Sequence, residues 1–264
     1  MRLFLEIILY FFIYSFLGWV SECIYCSIGH KKIINRGFLN GPICPIYGFG
    51  ALIIIFFLKG YENKILKLFI YGIIVTSILE YVTGYLLETI FNTTWWDYSR
   101  KKFNIKGRIC LKNSLLFGTM SVILMKIIHK CISSFTLSMP TLFLIFLAIN
   151  NILLFCIDLS FTIASMNNLK YKLKSLEELT IELRHININT EKINEDNLKG
   201  LLENLKNKGE IKTEKIEEII GKLHIIKNKS INQRRIINAF PNMKHRYSQE
   251  RFINFKQIIK SKRK

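Results

Sequence analysis

Negative charge and helix-breaking residues are both scarce in this chain: 19 Asp and Glu stand against 38 Lys and Arg, and 264 residues include 4 Pro and 14 Gly. No GxxxxGK[ST] phosphate loop occurs, so any nucleotide hydrolysis must come from a separate subunit. The six cysteines are scattered. Cys23 and Cys26 form a CxxC that lacks the second pair of a zinc site, so they read as small apolar residues near a helix end, and no metal site is expected. The pattern points away from a disulfide scaffold. No small-x-small cleavage site follows the first apolar run, Leu3 to about Tyr25, which is also longer than a leader's apolar core. It reads as a retained membrane anchor.

What the chain has in abundance is apolar sequence in long runs. Half of the residues are hydrophobic and mean hydropathy is positive, yet the formal net charge is +19. These facts reconcile if two parts are joined. Residues 1–165 carry 15 basic and 7 acidic side chains and read as a transmembrane domain; residues 166–264 carry 23 and 12 and read as a water-facing tail. A bilayer core takes about 20 apolar residues as helix. Five segments qualify: about Leu3–Cys26, Pro42–Leu58, Ile65–Phe91, Leu111–Cys131 and Met139–Ser165. The second is short enough to be tilted or partly re-entrant. The expected fold is therefore all-α, a polytopic membrane protein of about five transmembrane helices with a C-terminal cytosolic helical tail.

Orientation follows from the basic residues. Lys31, Lys32, Arg36, Arg100, Lys101, Lys102, Lys106, Arg108 and Lys112 lie in loops on the tail's side, joined by Lys170, Lys172 and Lys174. Arg2, Lys59, Lys64, Lys67, Lys126 and Lys130 lie on the other. The N-terminus is expected outside and the tail in the cytosol.

Gly and Pro are concentrated in RGFLNGPICPIYGFG (36–50), between two apolar runs. Irregular backbone at a membrane boundary needs protein or water to satisfy its peptide groups, so this stretch reads as a built site. Charged side chains within spans cost about 2.5–3.5 kcal/mol each by insertion scales, which singles out Glu6, Glu22, Glu80, Glu88 and Asp158. Glu6 is near enough to the outer end to reach water. Glu80, Gly84 and Glu88 fall about 40° apart in succession on a helix, a narrow polar stripe with a Gly that admits a close neighbour. Glu22, Arg36, Asp97 and Arg108 belong at the same depth. Either the arginines neutralise these acids as structural pairs, or the group forms a ligand or catalytic site. Trp95-Trp96-Asp97-Tyr98 reads as an interfacial anchor, or else as a platform for a headgroup. Asp158 and Asn150-Asn151 read as polar helix contacts rather than a proton relay.

Five segments taken together, FLGWVSECIYCSI (16–28), RGFLNGPICPIYGFG (36–50), ILEYVTGYLLETIF (78–91), WWDYS (95–99) and FNIKGRICLKNSLLFG (103–118), resemble the bacterial putative ABC-transporter type IV membrane family, the CmpB-like proteins, over about residues 5–135. The resemblance implies a permease-like subunit in the bacterial plasma membrane with a separate ATPase and no cofactor. Its motif positions make Glu22, Arg36, Asn40, Tyr47, Glu80, Glu88, Trp96, Asp97, Asn104 and Arg108 the candidate ligand-binding residues. The chain lacks a clear coupling-helix signature of importer permeases, and five spans are few for a pore, so homo-oligomers are expected. The ligand class is a small solute or lipid headgroup. The alternatives are an intramembrane enzyme acting on a lipid or isoprenoid-linked substrate, with Glu80 or Glu88 as general base and the arginines holding an anionic head, or a non-catalytic membrane scaffold.

The tail has two parts. Residues 166–226 carry 11 basic and 11 acidic side chains, with Leu169, Leu173, Leu176, Leu179 and Leu183, then Ile216, Ile219, Ile220 and Leu223, near helical spacing; two or three amphipathic helices are expected. Residues 227–264 carry 12 basic side chains against Glu250, with Ile253, Phe255, Ile258 and Ile259 near one face. Binding to anionic lipid is the first expectation, nucleic acid the second, and a protein partner the third.

Overall fold

The computed structural model describes residues 1–31, 34–185, 200, 213–227, 231–240 and 243–245. The molecule is mainly helical, and among the described residues four helices are long and apolar enough to cross a membrane. These are α1 (Arg2–His30), α3 (Ile65–Phe91), the α4–α5 rod (Leu111–Ile123 and His129–Ser138, joined through a π-helical turn at Leu124–Ile128) and the first part of α6 (Thr141–His185). The fifth expected span is α2 (Pro45–Leu58), continued by one tighter turn to Tyr61. At 14 residues it covers about 21 Å, short of a hydrocarbon core of about 30 Å.

Helix α2 is short because it starts late. Pro45 occupies its first turn, where a missing N–H costs nothing. It is also the central helix, burying Gly48, Gly50, Ala51, Ile54, Ile55 and Leu58. Glycine makes that position possible: a Cβ on Gly48 would lie 2.2 Å from Ser15 Oγ and 2.6 Å from the Phe11 carbonyl, and one on Gly18 would lie 2.2 Å from Tyr47 Cβ. The α1 and α2 backbones therefore meet through reciprocal small-residue contacts, as membrane helices do when lipid is as apolar as their own side chains. Tyr10, Tyr14, Ile54, Ile55, Leu58, Leu68, Leu124 and Met125 form the core around them. The outward faces keep Phe56, Phe57, Ile70, Ile74, Ile78, Leu86, Phe135, Leu142, Phe146 and Leu153 exposed, the pattern of helices whose surroundings are apolar.

The connections gather at two ends of the bundle. At one, Arg2 donates to Glu6 at 3.0 Å, to Thr141 Oγ1 at 3.3 Å and to the carbonyls of Leu137 and Met139. The Tyr14 hydroxyl meets His129 Nδ1 at 2.8 Å, with Lys59 and Glu62 close to that imidazole. Glu6, expected to reach water, is 7% exposed and is neutralised by Arg2 instead. At the other end lie residues 34–44, the 92–110 connection and residues 235–240 and 243–245. Helix α2 runs from the second end to the first.

Among the described residues, four short strands decorate the second end: β1 (Thr93–Thr94), β2 (Asn104–Ile105), β3 (Ile109–Cys110) and β4 (Lys244–His245). β2 and β3 form a hairpin with Asn104 opposite Cys110, and β1 pairs antiparallel with β4, Thr94 opposite Lys244.

The chain divides into two compact units, the first being Met1–Ile163 with Arg235–Arg246, the second Ala164–Arg234 with Tyr247–Lys264. This partition takes a piece of the basic C-terminal segment into the membrane unit. Within the second unit, α7 (Thr213–Lys227) contributes Lys222, which donates to Glu182 and Glu218, each at 2.7 Å, and Lys215, 3.5 Å from Glu182. Leu169, Ile216 and Ile219 are buried. The side chains of Leu173, Leu176, Leu179, Leu183 and Leu223, and all of Ile253, Phe255, Ile258 and Ile259, lie outside the described residues, as does Lys32.

Candidate functional site

Four helices line a partly open cavity of about 170 Å³. Its polar end is built from Glu22 on α1, Arg36 in the α1–α2 connection, Tyr47 on α2, Glu80 on α3, and Trp96 and Tyr98 beyond α3. Its apolar end is built from Ile54 on α2, Leu79 on α3 and Phe117, Met120, Leu124 and Ile128 on α4 and the π-helical turn. The lining positions from Phe117 to Ile128 cover about 16 Å of helix axis. The π-helical turn supplies both Leu124 and Ile128 to the wall, consistent with the tendency of such turns to occur at functional sites.

Glu80 is the most constrained polar group here. It is 6% exposed, and its Oε2 is buried with no hydrogen-bond partner. Glu22, Tyr98 and Asn113 act on its carboxyl group, and Glu22 acts also on Tyr47. Burial first, then Glu80 and Glu22, push the Tyr98 hydroxyl well above the usual phenol range. A buried carboxylate oxygen without a donor is costly to hold in an apolar wall, which marks this spot as a place that lacks something.

The arginines are placed differently from the acids. Arg108 donates to Glu88 Oε2 from Nε at 3.0 Å and from a terminal nitrogen at 2.5 Å, donates to Tyr81 Oη at 3.1 Å, and lies over the Tyr81 and Tyr85 rings. Its side chain and that of Glu88 are 14% and 15% exposed. Arg36 donates to the Ala239 carbonyl at 2.8 Å, and its guanidinium lies 4.4 Å from the Phe240 ring centroid. Among the described ion pairs none joins Arg36 to Glu22 or Glu80. The stripe expected on α3 is thus shared out: Glu80 faces the cavity, Glu88 is held by Arg108, and Gly84 between them lets Trp96 and Arg108 cross, a Cβ there lying 3.2 Å from Trp96 Cζ2.

The other candidates shape the surrounding loops. Asn40 donates its backbone N–H to Asp158 at 2.9 Å and its side-chain amide to Thr162 at 3.2 Å. Gly41 N–H adds a second bond to Asp158 at 2.7 Å. Asp158, expected as a polar helix contact, therefore pins the Gly/Pro stretch to α6. Asn104 clamps the hairpin, donating to the Ser99 and Lys101 carbonyls and accepting from Gly107 N–H; Gly107, at φ +69°, permits the turn. Asp97 accepts from Ser99 N–H at 2.9 Å and from Lys244 Nζ at 2.5 Å. Partial burial acts to raise its carboxyl, but the bonds from Lys244 and Ser99 outweigh that and lower it to about 2. Trp96 Nε1 donates to the Arg108 carbonyl at 2.8 Å.

Trp95 differs from expectation. It is 2% exposed, with ring centroids at 5.1 Å from Phe38, 6.0 Å from Phe91 and 4.9 Å from Phe240, an internal aromatic cluster and no lipid-facing anchor. Residues 235–240 and 243–245 were invisible to sequence reasoning as part of this region. Arg235 donates to the Gly37 and Phe38 carbonyls at 3.1 and 2.9 Å and to Asn40 Oδ1 at 2.9 Å. Ile236, Ile237, Ala239 and Phe240 are buried. These basic residues satisfy backbone carbonyls and Asp97 where the sequence suggested lipid phosphate. Cys23 accepts from Arg36 N–H at 3.2 Å, and among the described residues no group of His, Cys, Asp and Glu is arranged to hold a metal.

The family model described as Putative ABC-transporter type IV matches residues 9–163, more than half of the chain. No curated protein and no solved structure matches the chain. The chain belongs to the Putative ABC-transporter type IV family.

Proposed function

We propose that this member of the type IV family is a permease-like membrane subunit that binds a small solute or lipid headgroup in the α1–α4 cavity and works with a separate ATPase. Glu22, Arg36, Tyr47, Glu80 and Trp96 form the binding site; Asn40, Glu88, Asp97, Asn104 and Arg108 hold the loops that shape it. The chain crosses the bacterial plasma membrane five times, α2 included because its tighter turn to Tyr61 extends it to about 27 Å, with the N-terminus outside and the tail in the cytosol, and it assembles as a homo-oligomer. The remainder of the basic tail rests on anionic lipid.

What supports this reading is one observation: a partly open space between four apolar helices collects two carboxylates, a guanidinium and two phenols at one end, and one buried carboxylate oxygen there has no partner. Such groups are costly in a membrane and persist where a ligand completes them. The test is lipid and metabolite profiling of cells lacking the protein, complemented with wild type, Glu80→Gln or Glu22→Gln, together with capture of a co-purifying ATPase. A transport subunit yields accumulation of one compound class on one side of the membrane, restored by wild type and by neither variant. Full restoration by both variants removes the cavity from the function and leaves the scaffold reading.

A second reading, an intramembrane enzyme, is favoured by the placement of Glu80 beside Tyr98, an acid–base arrangement. Turnover of a lipid by the purified chain without any ATPase, abolished in Glu80→Gln, selects it.

A further inference from the structure

The charges around the cavity do not balance in the direction its arginines suggest. Arg108 is engaged by Glu88, Tyr81 and Tyr85. Arg36 reaches the cavity wall with one donor committed to the Ala239 carbonyl and its face stacked on Phe240. The acids at the polar end are not engaged in this way. Glu22 has only neutral donors, the Cys26 thiol at 3.6 Å and the Tyr47 hydroxyl, and Glu80 Oε2 has none. Glu80 is more than nine-tenths buried. What is missing is therefore a donor, and the space beside it is walled by Ile54, Leu79, Met120 and Leu124.

Two occupants meet that requirement: a proton, or a cation with N–H groups. Accepting the cavity as a ligand site, on which this inference rests, we infer that it takes an amphipathic organic cation, a protonated amine on an apolar body, and that the amine and a proton compete for Glu80. The ammonium donates to Glu80 and Glu22, and the apolar body lies along α4 and the π-helical turn. The exchange balances: a protonated carboxyl plus an alkylammonium gives an ammonium–carboxylate pair and one released proton. A buried pair of this kind is favourable only when the remaining hydrogen bonds are satisfied, and Tyr98 and Asn113 stand beside the Glu80 carboxyl group to do so. The titratable and charged groups facing Glu80 are Glu22 from α1, Arg36 from the α1–α2 connection, Tyr47 from α2 and Tyr98 from beyond α3. Asn113 on α4 is neutral. Two carboxylates against one guanidinium leave room for one positive charge.

The test uses the full chain in lipid nanodiscs with three probes of one apolar length: octylamine, octanol and octanoate. Saturable octylamine binding at one per protomer is expected, with a proton released in weak buffer. Affinity should fall about tenfold per pH unit on the acid side, where the proton wins. Glu80→Gln should weaken octylamine about tenfold or more and abolish proton release. Glu178→Gln, which removes an exposed tail carboxylate, should leave both unchanged. Wild-type proton release carries the test even if Glu80→Gln fails to fold. Preferential binding of octanoate, or equal binding of octanol without proton release, overturns the cation assignment and leaves a ligand cavity standing. No saturable binding of any probe overturns the cavity reading and this inference together.

Discussion

Replacing Arg235 with alanine tests whether the C-terminal segment is a structural part of the membrane unit. The guanidinium donates to two backbone carbonyls and the Asn40 amide oxygen at 2.9–3.1 Å, and burial, opposed by Asp158, lowers its pKa from the ordinary arginine value. Hydrogen bonds from a charged donor contribute about 1.5–3 kcal/mol each. The three share one half-buried group, and water can reach some of the part-buried acceptors, so their combined loss is about 3 kcal/mol rather than the sum. For a domain of this size that corresponds to a fall in Tm of about 6–12 °C. Arg235→Lys keeps the charge but cannot span the same fork, so it should recover about half of the loss. Thermal unfolding of the full chain in nanodiscs, with protease sensitivity after residue 240 as a second readout, measures both. An Arg235→Ala protein that melts within about 1 °C of wild type refutes the reasoning, because the segment would then contribute nothing to the 37–40 backbone.

Other outcomes follow from the same geometry. Arg108→Met and Glu88→Gln should each destabilise, the first by about 1–3 kcal/mol because it leaves a part-buried carboxylate alone. The double substitution should cost less than the sum, and additivity in a double-mutant cycle would contradict the pairing. Gly48→Leu should prevent assembly of α1 on α2, read as loss of folded protein after membrane extraction, since its first carbon alone meets Ser15 and the Phe11 backbone; wild-type yield would contradict the close crossing. Because the Asp97 carboxyl is held at about 2 in the folded chain against about 3.9 when unfolded, its stabilisation is fully present above the unfolded value and is lost as pH falls from there toward 2. Lys244→Ala should flatten that acid limb in a pH series of melting temperatures, and an unchanged limb would contradict the Asp97–Lys244 bond.

The spacing of Glu80, Gly84 and Glu88 was legible because a helix has a fixed period. The length of the apolar runs likewise carried the four long helices. What sequence could not give was the division of labour among like groups. Nothing in a list of residues says that Arg108 takes Glu88 and leaves Glu80, since both acids lie on one stripe and the choice depends on where the hairpin places Arg108. Nor does a basic run say whether its donors meet lipid phosphate or peptide carbonyls: Arg235 and Gly37 are 198 positions apart, and only the folded chain joins them. Trp95 read as a boundary residue because tryptophan suits either a headgroup zone or a packed core, and Phe38, Phe91 and Phe240 decide between them. The early Gly/Pro stretch signalled a built site, but its anchor, Asp158, lies on a helix more than a hundred residues away.

The most direct measurement asks which membrane carboxyl stands unpaired in a cavity. An apolar carbodiimide modifies carboxyl groups that carry a proton in an apolar site, and peptide mass spectrometry locates the adduct. The account predicts that Glu80 is modified, that octylamine protects it, and that Glu88, held by Arg108, is not. Modification of Glu88 with Glu80 untouched would contradict it.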